Sequence, residues 1–461
     1  TEQKHSLSME EVARTHQWRH QVLIFAFPFG SHPSFLLNLV RRLAGEAPAV
    51  KFSFFNTSTS NAAIFKDGRR NHNVFPYSVG DGLPEGYVRK QGVPAEPAAL
   101  FLKAAAGNFR MAVAAAAETA AVEVRGVVSD AFLWFAGEMA AEMEVPWVPV
   151  WVPGLRSLVV HLHTDLFRQK LADSGDDKEK VINFLPGFEA IRKVDLQEGI
   201  VHGDLKSPFA TMLRKMEIHL PKASAVVVNS FKEAESEMFD ILKPMLQKLL
   251  TIAPLNITPS TSIIADEHGC LEWLDKQKPM SVAYICFGTF LALPPHELTA
   301  LTEALVESRV HFLWSFRGNP KESFSKEFLE VVDVQGKLVP WAPQTRVLAH
   351  PSVRVFIAHC GWNSVLEAIM AGVPMICRPF VGDNALNART MEFQWKAGLG
   401  LQNGIFTKDE VMKAMNSIFD PYKGAEISRN LKTLKDLALE AARPEGSSTK
   451  NFNSLVELLT K

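Results

Sequence analysis

Short apolar runs alternate with longer amphipathic segments along most of the chain. In the first half, Gln21 to Phe27 (QVLIFAF), Val50 to Phe55, Gly126 to Ser129, the stretch around Val148, and Ala225 to Val228 are brief and rich in β-branched or aromatic residues. Strands buried on both faces of a parallel sheet have this composition. Between them, Phe35 to Ala44, Ala104 to Ala121 and Trp134 to Met143 carry apolar residues at helical spacing. From Asn56 to Ala99 the pattern weakens into scattered Gly, Pro and Asn, which predicts loops over a site, and Asp173 to Lys180 reads as a surface loop. Ala225 to Val228 is expected to be the last strand of this half. The second half starts again with strands at Val282 to Phe287, His311 to Trp314, Leu338-Val339, Val353 to Ala358 and Val373 to Ile376, and with helices at Leu298 to Glu307 and from Asn363 onward. Each half is a βαβ series, so the expected fold is α/β, with two Rossmann-like doubly wound domains facing a cleft. The Pro-bearing stretch Ile252 to Ser262 is the best linker, which places the domains at 18–250 and 263–442 around a linker at 251–262.

A length of 461 residues also suits two domains better than one core. A net charge of −1 gives no electrostatic reason to expect nucleic acid or an anionic membrane as partner. The four cysteines (Cys270, Cys286, Cys360, Cys377) lack CxxC spacing and read as buried free thiols in a reducing compartment. No run of about 18 apolar residues is present, so no membrane span is expected. The first twenty residues lack the apolar centre of a signal peptide, and the expected location is cytoplasmic. A chain that begins at Thr1 is expected to have lost its Met or to carry added residues.

The chemistry concentrates in Trp341 to Asn384. A strand, Val353 to Ala358, breaks at His359-Cys360-Gly361 and feeds a helix for which Asn363 or Ser364 is the expected N-cap. Free N–H groups and the positive end of a helix dipole make such a turn an anion site. His359, Asn363 and Ser364 are candidate phosphate donors there, Glu367 one turn on could accept from ribose hydroxyls, and Asp383-Asn384 follow the next strand. In the first half, His32 and Asp130 each follow a strand and should open onto one sheet edge. A histidine oriented by a carboxylate is suited to taking a proton from a hydroxyl.

The 44 residues from Trp341-Ala342-Pro343-Gln344 through His350, HCGWNS (His359 to Ser364), Glu367, Gly372-Val373-Pro374, Pro379 and Asp383 resemble the donor-binding signature of plant UDP-dependent glycosyltransferases. The resemblance covers nearly the whole chain and implies the GT-B arrangement, with a C-terminal helix near Ser448 to Leu459, within 443–461, crossing back onto the first domain. It implies an inverting displacement in which His32, paired with Asp130, activates the acceptor hydroxyl. It further implies that Trp341 stacks on uracil, Ala342 and Gln344 read its edge and the ribose, and Thr289, His359, Asn363 and Ser364 bind the pyrophosphate. Ser31, Gly361, Trp362, Asp383, Asn384 and Val152 complete the implied donor set. FPFGSH, FSFFNT, DGLPEGY, DLQEGIVHG and AVVVNS are similar to flavonoid 3-O-glycosyltransferases in particular. That likeness makes Phe29, Phe132, His161, Gln197 and Val381 candidate acceptor contacts, and 31 Phe against 4 Tyr suits a planar aromatic acceptor. The expected partners are a UDP-sugar co-substrate and a flavonoid, the expected state is a monomer, and no metal or other cofactor is expected. His161-Leu162-His163 has spacing that could suit a metal, but no third ligand accompanies it.

Three positions depart from the glucosyl-transferring pattern: Asn384 where Gln is usual, Val381 where Phe is usual, and Val152 in WVPG where the family's Thr faces the sugar 6-hydroxyl. An apolar contact there favours a 6-deoxy sugar, since leaving a buried hydroxyl unpaired costs about 1–3 kcal/mol. UDP-rhamnose is therefore the expected donor, with UDP-glucose next and then galactose or arabinose. Near Val93 to Pro97, Ala95 and Glu96 stand where many relatives carry a Gln that touches the flavonoid. An NAD-dependent oxidoreductase is disfavoured because Phe27-Pro28-Phe29-Gly30 follows the first strand in place of GxGxxG. A non-catalytic binding protein on the same fold is disfavoured by the presence of both His32 and Asp130.

Overall fold

A computed structural model describes residues 18–66, 71–87, 95–119, 122–255, 265–288 and 292–460. Among these, the strands form two sheets in which every ladder between strands is parallel. The first sheet contains β1 (His20–Phe25), β2 (Val50–Thr57), β3 (Val74–Val79), β4 (Val124–Asp130), β5 (Trp147–Trp151), β6 (Val226–Val228) and β7 (Leu249–Thr251), in the order β3-β2-β1-β4-β5-β6-β7. The second contains β8 (Val282–Cys286), β9 (His311–Ser315), β10 (Gly336–Val339), β11 (Val353–Ala358), β12 (Met375–Cys377) and β13 (Gly398–Gly400), in the order β10-β9-β8-β11-β12-β13. Strand order therefore reverses beside β1 and again beside β8, and open α/β sheets bind ligands in the crevices that such reversals create.

Six helices position the site: α1 (His32–Glu46), α2 (Ala95–Thr119), α3 (Leu155–Leu162), α4 (Trp362–Ala371), α5 (Asn384–Arg389) and α6 (Ser447–Thr460). Pro33 in the first turn of α1 is pre-set for a helix start, and Leu36, Leu37, Val40 and Leu43 form its buried stripe. That stripe shares one apolar cluster with Val22 and Ile24 of β1 and with Phe452, Leu455 and Leu459 of α6. Residues of α2 and α3, among them Phe101, Phe109, Leu155 and Leu158, cover the opposite face with Phe25 and Trp151. Asn451 donates to the Thr251 carbonyl (2.9 Å) and Ser448 to the Ala253 carbonyl (2.7 Å), so the last helix is stitched to the first sheet.

Several expectations need correction. The region from Asn56 to Ala99 holds a helix at Ser58–Ile64 and the strand β3. Pro76 and the partial burial of β3 are those of an edge strand, and they weaken its signal. Ala225 to Val228 is not the last strand of its half, because β7 follows, and Ile252 and Ala253 just beyond it are buried rather than free linker. Residues 256–262 of the expected linker, like 1–17, lie outside the described residues. Gly398 to Gly400, with two glycines in three residues, is the edge strand β13. Neither Asn363 nor Ser364 caps α4, because the helix already begins at Trp362 with Gly361 as its N-cap, and both lie inside its first turn.

The packing of α6 gives a direct test. Leu455 is fully buried against the first sheet, so Leu455→Ala should destabilise the protein by about 2–5 kcal/mol, read from the shift of a chemical denaturation curve. A shift under about 1 kcal/mol would mean that this helix contributes little to the core.

Candidate active site

His32 opens α1 just beyond the end of β1, and Asp130 is the last residue of β4, the neighbouring strand. This adjacency brings together two side chains 98 positions apart: His32 Nδ1 lies 2.7 Å from Asp130 Oδ2. Asp130 is 1% exposed and its second oxygen accepts the Phe132 amide at 3.0 Å, which fixes the carboxylate. A carboxylate only accepts, so Nδ1 carries the proton and Nε2 keeps its lone pair. His32 itself is 17% exposed. Rings surround it, with Phe132 at 4.9 Å and Phe27 at 5.4 Å between centroids. Phe27 meets Phe29 and Phe101, and Phe132 meets Trp151 and Phe209. A hydroxyl proton acceptor beside an aromatic wall is the result.

The second sheet offers the complementary edge. Beyond β8 and β11, Gly288 approaches so closely that a Cβ there would lie 3.2 Å from the His359 ring. Burial pushes His359 down to about 4, so its imidazole is neutral, and its Nδ1 is buried without a partner. Thr289 lies outside the described residues. Gln344 accepts from the Tyr284 hydroxyl (3.2 Å) and donates to Ser364 Oγ (3.2 Å) and Glu367 Oε2 (2.5 Å). Burial raises Glu367 to about 7, with the Gln344 hydrogen bond acting in the opposite direction. Trp341 next to this cluster is 36% exposed, which leaves its indole open to solvent, while Ala342 is buried. Asp383 precedes α5 and accepts from Asn387 at 2.8 Å. Burial raises the Asp383 carboxyl above its ordinary value, and the Asn387 hydrogen bond opposes that. Asn384, the first residue of α5, is buried with Oδ1 turned toward the Val381 amide. The segment before Asp383 is held by Arg378, whose Nε donates to Glu297 Oε2 at 2.9 Å in a buried ion pair.

The two edges meet at a seam. Trp362 is 5% exposed, donates to the Asn229 carbonyl and covers Gly154, where a Cβ would come within 2.7 Å of the indole. Its side chain thus belongs to the packing of one sheet against the other, and not to an open donor surface. Asn363 lies between Asn229 (2.8 Å) and Ser31 (2.8 Å), which are both in the first half of the chain. Gly361 is tight against His359. At the far end of α5, Arg389 donates to the Ala190 carbonyl at 2.7 and 3.0 Å.

Other expected residues fall outside this group or play a different part. Val152 is 4% exposed and its side chain belongs to the apolar cluster beneath α1. His161 is buried, pushed down to about 4 by burial, and faces Gln197 Oε1 at 3.1 Å, while His163 turns to the Val159 carbonyl. The two histidines do not converge. Among the described residues no group of three or more His, Cys, Asp or Glu is placed to hold a metal, and no helix is long and apolar enough to cross a membrane. Val381 is 64% exposed and joins none of the apolar clusters. Sequence reasoning missed Tyr284, Asn387 and Asn229. The four-residue spacing of Asp383 and Asn387 could have revealed one of them, whereas Asn229 needed the assembled seam.

The Glu367 shift fixes the sign of a pH effect. A carboxyl raised from 4.5 to about 7 binds more protons folded than unfolded, so its penalty to stability is absent below 4.5, grows up to about 7 and is constant above. Glu367→Gln should therefore raise the melting temperature relative to wild type at pH 8, with the gain shrinking toward pH 4.5. A gain independent of pH would contradict the shift.

Comparison with known proteins joins these parts. The model of the family described as UDP-glucoronosyl and UDP-glucosyl transferase matches residues 98–435. A flavonol 3-O-glucosyltransferase of Actinidia chinensis var. chinensis is 48% identical over 95% of this chain and 96% of its own length. An anthocyanidin 3-O-galactosyltransferase of the same plant is 46% identical over 95% and 97%. Among solved structures, a UDP-glucose:anthocyanidin 3-O-glucosyltransferase in complex with UDP superposes with a TM-score of 0.89 at 37% identity, covering 96% of this chain and 99% of that one. The paired parallel sheets are the GT-B fold, and the chain belongs to the UDP-glycosyltransferase family.

Proposed function

We propose that this enzyme transfers a hexose from UDP-glucose or UDP-galactose to the 3-hydroxyl of a flavonoid, with inversion at the anomeric carbon. The observation that carries this reading is the His32–Asp130 pair, with a bare Nε2 set in a wall of aromatic rings. The acceptor hydroxyl gives its proton to Nε2 as its oxygen attacks the anomeric carbon, and Asp130 stabilises the imidazolium that forms. The bond from that carbon to the diphosphate breaks, and its electrons leave on the phosphate oxygen. The N-terminal end of α4, with Asn363, Ser364 and neutral His359, faces that developing charge. Trp341 stacks on the uracil, while Gln344 and Glu367 hold the ribose. Asp383 and Asn384, at the start of α5, read the sugar hydroxyls. Phe29 and Phe132 line the flavonoid side, with Gln197, whose Oε1 faces the buried His161, as its polar anchor.

Rhamnose, the expected donor, is displaced on two counts. The relatives at 48% and 46% identity are a glucosyl- and a galactosyltransferase. The Val152 side chain, on which the 6-deoxy argument rests, is packed into the core beneath α1.

With kaempferol or quercetin as acceptor, UDP-glucose or UDP-galactose should outpace UDP-rhamnose and UDP-arabinose by at least tenfold in kcat/KM, about 1.4 kcal/mol of discrimination. Separation of the products by chromatography and mass reads the outcome, and a dominant rhamnoside would overturn this donor assignment. His32→Ala should lower kcat by about a hundred- to ten-thousand-fold, with UDP affinity unchanged within twofold by calorimetry. Transfer at a near wild-type rate would remove His32 as the base.

A further inference from the structure

Asn229 directly follows β6 and is buried where the two sheets meet. Its backbone is used twice, with the amide donating to the Trp151 carbonyl (3.0 Å) and the carbonyl accepting from the Trp362 indole. Its side chain has a separate task. Nδ2 lies 3.1 Å from the Val152 carbonyl and 2.8 Å from Asn363 Oδ1, and Asn363 Nδ2 in turn lies 2.8 Å from Ser31 Oγ.

These contacts have a fixed direction. A backbone carbonyl can only accept, so the Asn229 group that faces Val152 must be its NH₂. The second hydrogen of that NH₂ then points at Asn363, which must answer with its oxygen. The Asn363 NH₂ is thereby turned the other way, to the side of Ser31 and the N-terminus of α1. One backbone carbonyl thus sets the orientation of two amides in series, across the boundary between the sheets. Without Asn229, the Asn363 amide could rotate and present oxygen, an acceptor, where an anionic phosphate would need a donor.

We infer that Asn229 is a positioning residue for donor binding, acting through Asn363 to keep an N–H turned toward the diphosphate of the UDP-sugar. The inference rests on the reading that Asn363 meets that diphosphate. Asn229 itself touches no ligand in this account.

The test is binding of UDP and of uridine, each measured by calorimetry without acceptor. Asn229→Ala keeps both backbone bonds and removes only the amide relay. It should weaken UDP at least fivefold and change uridine, which lacks the phosphates, less than twofold. In an Asn363→Ala background, the further change Asn229→Ala should cost UDP less than twofold, because the relay then has nothing to orient. Asn229→Leu keeps the side-chain volume and takes the place of the alanine variant should that one fail to fold. Unchanged UDP affinity, equal losses for UDP and uridine, or a full loss that persists in the Asn363→Ala background would each overturn the inference. If Asn363→Ala alone binds UDP as wild type does, the reading beneath it fails instead.

Discussion

Two wholly parallel sheets, each reversing its strand order beside its first strand, are the constraint from which the site follows. In a parallel sheet all strands end on one edge, and at a reversal the connections leave to opposite sides, so a crevice opens between them. The β1/β4 reversal supplies His32 and Asp130, and the β8/β11 reversal supplies Gly288, His359 and the start of α4. A proton acceptor and an anion site are thus built on separate sheets and need only be brought face to face. The seam does this. The Trp362 indole fills the space over Gly154, Asn229 bridges to Asn363, and Arg389 ties α5 to the Ala190 carbonyl.

This division explains which parts of the chain were legible. Stretches such as Val22 to Phe25 and Val355 to Ala358 are buried on both faces, and their continuous apolar runs are read directly. Strands β7 and β13 have three residues each and β3 carries a proline at an edge, so neither length nor alternation marks them. His32 and Asp130 could each be placed at a strand end from sequence. Their 2.7 Å contact follows from β1 and β4 being neighbours, which is a fact of topology and not of any local pattern. Trp362 shows the opposite limit. It sits inside the donor motif, yet its side chain serves the packing between the sheets, and only the assembled seam separates those roles.

The donor sugar was the least legible feature, for a physical reason. A hydroxyl-to-methyl exchange such as Thr to Val carries information about a ligand only if that group faces the ligand, and the Val152 side chain lies in the apolar cluster with Phe35 and Leu36. Under the proposed function, Asp383 and Asn384 at the start of α5 read the sugar hydroxyls. Their geometry is set from behind, by Asn387 on one side and by the Arg378–Glu297 pair on the other.

The central claim is a single displacement at the anomeric carbon by a hydroxyl that His32 has deprotonated. The anomeric configuration of the product tests it most directly. UDP-glucose carries an α linkage, so one displacement must give a β-glycoside, recognisable from the anomeric proton coupling in the NMR spectrum of the purified flavonoid product. An α-glycoside would mean two displacements or a front-side attack, and would contradict the role assigned to the His32–Asp130 pair.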